Sequence, residues 1–188
     1  MLKRSIVLEI EKAYSELKTI LVERGSKIIS EAPPEHISIQ HGSLRGVSPK
    51  SAKKIVNFSM FQNRTITKIE VDSTLSSDWI NLTVVGNIIA GFVGAAFWWI
   101  ASDIADLVVK GNYGYWTWLA EVFGYPNVQY TLFMSNVLKA LSIVLVFTII
   151  LEILDFFIVY RRIDAFAQEV LNELADKKPG QVKSHWNQ

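Results

Sequence analysis

The sequence predicts an α+β cytoplasmic domain fused to a two-helix transmembrane hairpin, with a C-terminal amphipathic helix after the hairpin. Three observations lead to this fold class. A helical hydrophobic period gives way to a strand-like period in the first part, two long apolar segments follow, and helical spacing then returns. The expected parts are residues 1–77 for the domain, 78–162 for the hairpin, 163–176 for the last helix and 177–188 for a disordered tail.

Composition limits the class of function. The chain of 188 residues is 50% hydrophobic and has a formal net charge of only +1, so nucleic acid is not an expected partner. It contains no cysteine, which excludes disulfides, thiol catalysis and thiolate metal sites. No nucleophile and base stand at a usable spacing. We therefore expect no enzyme activity, no cofactor and no metal.

The soluble domain begins with a helical pattern and continues with strands. Apolar residues recur every three or four positions over residues 5–24, which predicts an amphipathic helix that ends at Gly25. From Lys27 onward the period is two, which predicts an antiparallel meander with the helix on one face. The expected strands are residues 27–30, 36–41, 54–61 and 65–73.

Two features of this domain were candidates for ligand binding. His36 and His41 are five residues apart on one predicted strand, so they face opposite sides of the sheet and cannot share a metal. The loop over residues 42–54 is rich in glycine, serine and basic residues, which could hold a phosphate or an anionic lipid headgroup. Its basic residues are Arg45, Lys50, Lys53 and Lys54. A solvated loop is the alternative interpretation.

Two apolar segments predict the transmembrane hairpin. The first has no ionisable residue between Asp78 and Asp103, and a bilayer core of about 30 Å needs about 20 helical residues. The expected spans are residues 79–101 and 138–160, joined by an outer loop over residues 110–130. Both helices should extend beyond the bilayer, where we expect Asp103 to lie near Lys139 or Asn136.

The distribution of basic residues predicts the orientation of this hairpin. Lysine and arginine flank both spans on the side of the termini, whereas residues 111–130 contain neither. The positive-inside rule therefore predicts a multi-pass protein of the cell membrane with both termini in the cytoplasm. The apolar start at Ile6 is interrupted by Glu9, so no signal peptide is expected.

Aromatic and small residues give the hairpin its expected contacts. Tryptophan favours the membrane–water interface, and residues 115–123 should form a short interfacial helix there. The alternative is that these aromatic residues form a patch that binds a substrate. The expected interface anchors are Trp79, Trp98, Trp99, Trp116 and Trp118. Gly86, Ala90 and Gly94 recur every four residues and predict a helix-packing face, toward the second span or another copy.

Polar residues inside the spans are the strongest candidate functional residues. An ionised carboxylate at this depth costs about 2.5–3.5 kcal/mol, so Glu152 and Asp155 should face protein or water. An antiparallel register predicts a hydrogen bond between Asn87 and Glu152, with Glu152 protonated by burial, whereas Asp155 could reach Arg161 or Arg162. The three residues form either a structural clamp or a proton or cation relay.

Three functions are compatible with these patterns. We expect a small membrane-anchored interaction or assembly module whose partners are the lipid bilayer and a second copy or another membrane protein. One alternative is binding of lipid or a small apolar ligand between the helix over residues 5–24 and the sheet, at the inner leaflet. The other is an oligomeric channel or transporter subunit that uses Asn87, Glu152 and Asp155.

Overall fold

The computed structural model describes residues 2–176, which form two compact units. The first unit combines the chain up to Ile80 with the chain from Asp155 onward, and the second unit is Asn81–Leu154. The architecture is an antiparallel five-stranded sheet plus helices, two of which are long and apolar. The tail expected over residues 177–188 lies outside the described residues.

The sheet belongs to the first unit and confirms the antiparallel meander. Its strands are β1 (Leu2–Ile6), β2 (Lys27–Ala32), β3 (His36–His41), β4 (Lys54–Asn63) and β5 (Ile66–Leu75). They lie in the order β1-β5-β4-β3-β2, and every neighbouring pair is antiparallel. β4 and β5 pair along their whole length, so they extend beyond the predicted strands.

Four α-helices accompany the sheet within residues 2–176. They are α1 (Ile10–Glu23), α2 (Ser77–Lys110), α3 (Val128–Arg161) and α4 (Ala165–Asp176). α2 and α3 each contain 34 residues and are therefore about 51 Å long, well beyond the predicted spans. Between them, Thr117–Ala120 forms a short 3-10 helix, and the turn that follows it contains Gly124 at a φ of +89°.

The first strand corrects the predicted start of the first helix. Residues 2–6 pair with β5, from Leu2 opposite Val71 to Ile6 opposite Thr67, and α1 begins only at Ile10. The apolar positions Leu2 and Ile6 fit a period of two as well as a helical period. Pairing with the otherwise open edge of β5 satisfies backbone groups that a longer helix would leave unpaired, and this tertiary contact decides the conformation.

The core of the first unit lies between the sheet and two helices. α1 and α4 pack side by side on one sheet face, and their buried residues join a single cluster. That cluster includes Leu17, Ile20 and Leu21 of α1, Phe166, Val170, Leu171 and Leu174 of α4, and Ile37, Ile39, Val56, Phe58, Met60, Ile69 and Val71 of the sheet. Arg24 links the two helices through ion pairs of 3.0 Å to Glu169 and 2.8 Å to Glu173.

Candidate functional site

The two long helices contact each other through small residues in the second unit. The Ser142 hydroxyl donates a hydrogen bond of 2.8 Å to the carbonyl oxygen of Gly94, and the Ser135 hydroxyl donates one of 2.7 Å to that of Ala101. A Cβ atom at Gly94 would lie 3.6 Å from the Cβ of Leu145. A side-chain hydroxyl can reach the partner backbone only when two helices approach closely, as small residues permit.

The predicted packing face is therefore only partly correct. Gly94 is buried in the contact and Ala90 is half-buried, but Gly86 is exposed and an added Cβ there would meet no atom within 4 Å. A step of four residues turns about 40° around a helix, whereas a step of seven turns about 20°. The face thus repeats every seven residues, at Gly94 and Ala101 on α2 and at Ser135 and Ser142 on α3.

The predicted hydrogen bond between Asn87 and Glu152 is absent. The Asn87 side-chain amide donates instead to the carbonyl oxygen of Thr83 at 3.0 Å, and its Oδ1 is buried with no partner among the described residues. The serine contacts set a register in which Asn87 lies at the level of Ile149, about one turn from Glu152. The expected clamp is not formed among the residues that the structure describes.

Both acidic residues of α3 are on the outside of the chain. Glu152, in the second unit, and Asp155, in the first, are exposed. Among residues 2–176, neither carboxylate has a hydrogen-bond or ion-pair partner, so the expected reach of Asp155 to Arg161 or Arg162 is not observed. A polar group of a different molecule could therefore contact Glu152 directly.

The connecting segment forms an aromatic cluster in the second unit. The rings of Trp99 and Tyr115 lie 6.0 and 5.0 Å from the Trp116 ring, and the Trp116 backbone N–H donates to Asp103 Oδ2 at 3.0 Å. Asp103 therefore contacts the connecting segment and not Lys139. The Lys139 ammonium lies 6.0 Å from the centre of the Trp98 ring.

Three of the expected anchors here, Trp98, Trp99 and Trp118, are between 49% and 64% exposed. Trp116 is only half-buried as a residue, yet its indole Nε1 is buried and has no partner among the described residues. The three exposed rings remain available to a membrane–water interface, and their role as anchors stays a prediction.

Trp79 differs from the other tryptophans because it is buried in the first unit. It is 5% exposed, its ring stacks on Phe156 at 5.8 Å, and its Nε1 donates to the carbonyl oxygen of Gly46 at 2.9 Å. Ala52 and Val159 complete this small cluster. Trp79 therefore holds the loop after β3 against the ends of α2 and α3, and its ring is covered by protein, unlike those of the other expected anchors.

The basic loop is organised differently from the predicted anion site. Lys50 pairs with Glu169 at 2.5 Å and Lys53 with Asp78 at 2.7 Å. Lys54 is fully buried, and its ammonium donates to the carbonyl oxygens of Pro49 and Ile163, so it cannot meet an anion at the surface. Its burial lowers the pKa to about 8.

Arg45 is the remaining member of the predicted set. It is exposed, and no hydrogen bond or ion pair engages it within residues 2–176. The four basic side chains therefore do not converge on one point. Only Arg45 retains the exposed, unpaired charge that an anionic ligand requires.

His41 is half-buried at the edge of the core, where its ring contacts a core side chain. Its ring stacks on Phe166 with centroids 3.6 Å apart, and its Nδ1 is 3.0 Å from the hydroxyl of Ser26. Burial, together with the nearby charges of Lys54 and Arg24, lowers the pKa of His41. The two strand histidines do face opposite sides of the sheet, but His41 is not the surface residue that the strand pattern indicated.

Neither a metal site nor a known family guides the assignment of function. Within residues 2–176 no three histidine, aspartate or glutamate side chains lie close enough to hold a metal ion. Comparison with known proteins gives no matching family model, no similar curated sequence and no similar solved structure.

Proposed function

We propose that this protein is a membrane-anchored assembly module, in which α2 and α3 cross the bilayer as a hairpin and the sheet domain stays in the cytoplasm. Both helices are long and apolar enough to cross a membrane, yet only 11% of the most apolar window of each is buried. The central helix of a soluble protein would bury most of this surface. Large side chains such as Phe92, 76% exposed, and Phe147, 60% exposed, favour a lipid environment.

The first unit contains segments from both ends of the chain, which supports a topology with both termini on one side of the membrane. α4 follows α3 in the chain, yet it shares one buried core with α1 and the sheet. The segment between Ile80 and Asp155 must therefore leave and return on the same side, which requires an even number of crossings. The exposed Arg161 and Arg162 favour the cytoplasm as that side.

The exposure of Glu152 is the observation that carries the assembly proposal. A carboxylate that faces lipid near a helix centre costs about 2.5–3.5 kcal/mol, and α2 does not cover this one. Contact with a polar group on another membrane helix would offset that cost. The partner is a second copy of this chain or another membrane protein, and the small-residue face is already occupied within the hairpin.

Native mass measurement after mild extraction from the membrane tests this proposal. We expect the wild-type protein to appear in a complex heavier than its own 21.3 kDa. Glu152→Leu should return it to the mass of the single chain, because the substitution removes the polar contact and leaves a surface that lipid can cover. Glu121→Leu is the matched control, since Glu121 is exposed in the connecting segment and should leave the complex unchanged. A wild-type protein that remains a single chain would contradict the assembly proposal.

The two alternative functions receive unequal support. α1 and α4 together fill the inner sheet face with fully buried side chains, which does not favour a ligand cavity between the first helix and the sheet. A channel receives support from the exposure of Glu152, because several copies could turn this carboxylate toward a shared pore. Ion flux through the reconstituted complex, abolished by Glu152→Gln, would distinguish a channel from a passive assembly.

A further inference from the structure

The loop between β3 and β4, residues 42–53, is held by several contacts at one end of the sheet. Trp79 and Asp78 hold it through the contacts to Gly46 and Lys53 described above. Ser48 and Ser51 also bond to each other through backbone and side-chain groups at 2.7–3.1 Å. The loop is thus fixed where α2 begins and α3 ends.

Glycine is required for the close packing inside this loop. A Cβ atom at Gly42 or Gly46 would overlap the backbone of Ser51, and Gly42 has a φ of +87°. The conformation of the loop is therefore set by backbone contacts as well as by the two anchors on α2.

The tip of the loop exposes apolar side chains around one free cation. Leu44 is 43% and Val47 is 70% exposed, and Arg45 lies between them in sequence. At the same end of the unit, Ile158 and Tyr160 of α3 are 51% and 64% exposed. Apolar side chains at the tip of a loop, with a basic residue among them, are typical of segments that enter the headgroup layer of a membrane.

We infer that this tip, Leu44–Val47, contacts the inner leaflet, with Leu44 and Val47 in the apolar boundary and Arg45 on the headgroup of an anionic phospholipid. The inference rests on the proposed membrane crossing, because the domain end that holds α2 and α3 must then face the bilayer. Charge complementarity selects the anionic lipid. Of the four basic residues, Lys50 and Lys53 are already paired and Lys54 is buried, so Arg45 supplies the contact.

Depth-dependent quenching tests where the tip lies. The chain has no cysteine, so Val47→Cys in the full chain takes a fluorophore at one position only. In vesicles of phosphatidylcholine and phosphatidylglycerol in equal parts, we expect brominated lipid to quench a Val47 label strongly. A Thr65 label, on the turn at the other end of β4 and β5, should respond only to aqueous iodide. Leu44→Ser should weaken lipid quenching of the Val47 label, because Leu44 is the apolar side chain of the tip that remains in the labelled protein.

Lipid composition tests the role of Arg45. In vesicles of pure phosphatidylcholine, the ratio of inserted to free tip should be about fivefold lower. This corresponds to about 1 kcal/mol for one basic residue at an anionic surface. Arg45→Gln should remove this dependence on phosphatidylglycerol, whereas Lys50→Gln, at a side chain already paired with Glu169, should preserve it.

The outcomes separate this inference from the proposed function. A Phe147 label reports the hairpin itself: if lipid does not quench it, the membrane crossing fails. If lipid quenches Phe147 but leaves Val47 as accessible to iodide as Thr65, the tip contact is refuted and the crossing stands. A Val47 label that is protected from both quenchers indicates a protein contact at the tip, which also overturns the inference.

Discussion

Lys54 occupies a position that a lysine side chain rarely takes. It is fully buried on the inner face of β4, where two backbone carbonyls accept from its ammonium and the Phe166 ring centroid lies 5.7 Å away. The strand period already places Lys54 on the same face as Val56 and Phe58. That signal predicts burial, but a basic loop next to the strand made a surface position the more obvious interpretation.

The buried lysine predicts a pH dependence of the stability of the sheet domain. The pKa of Lys54 is about 8 in the folded chain and 10.5 in the unfolded chain. The unfolded state therefore holds more protons between these values, and the free energy of unfolding should rise by about 2 kcal/mol between pH 7 and pH 9.5. Native-state hydrogen exchange of β4 amides at pH 7 and pH 9.5, corrected for intrinsic rates, measures this change.

Substitutions isolate the contribution of Lys54 to that change. Lys54→Met should abolish the rise because the side chain can no longer titrate. Lys68→Met is the matched control: Lys68 is an exposed lysine on β5 that pairs with Glu70, and the rise should persist in this variant. Tyr14, with its pKa raised to about 12, reduces stability only as the pH exceeds 10, outside the measured interval. An equal rise in wild type and Lys54→Met would show that Lys54 is not the group responsible.

At the scale of elements, the sequence predicted the number and type of the long segments better than their contacts. The periods of two and of three to four identified the strands from Lys27 onward and the helices, because hydrophobic spacing reflects burial on one face. These periods could not distinguish β1 from a longer α1, because the conformation of residues 2–6 depends on their pairing with the edge of β5. The same limit applies to the small residues of α2, whose contact face depends on the partner helix.

The contact between α2 and α3 predicts that leucine substitutions at two glycines of α2 will change the stability of the hairpin by different amounts. Gly94→Leu would force a side chain against Leu145 and Ser142 and should destabilise the hairpin by about 1–3 kcal/mol. Gly86→Leu places the same side chain on an exposed surface and should change the stability little. Titration with sodium dodecyl sulfate, followed by helical circular dichroism of the detergent-solubilised protein, measures both. Equal losses of stability in the two variants would contradict the seven-residue face.

At the scale of the whole molecule, the sheet domain is completed by a helix from the far end of the chain. α4 provides Phe166, Val170 and Leu171 to the core, and Arg24 pairs with two of its acidic residues. Its amphipathic pattern was visible in the sequence and favoured the sheet face or the first helix as the surface that it covers, and α4 packs against both. Because α4 packs in the sheet domain, the segment from Asn81 to Leu154 is an insertion whose two ends both connect to that domain.

The most direct test of this account is the topology of single-cysteine variants in intact cells, because the chain itself has no cysteine that would react. Ser30→Cys marks the sheet, Gln168→Cys marks α4 and Tyr113→Cys marks the segment between α2 and α3; all three positions are exposed. A membrane-impermeant maleimide added outside should label the Tyr113 variant only, and the other two should react after the membrane is opened. Labelling of the Ser30 and Gln168 variants from opposite sides, or of all three from one side, would contradict the two-crossing hairpin.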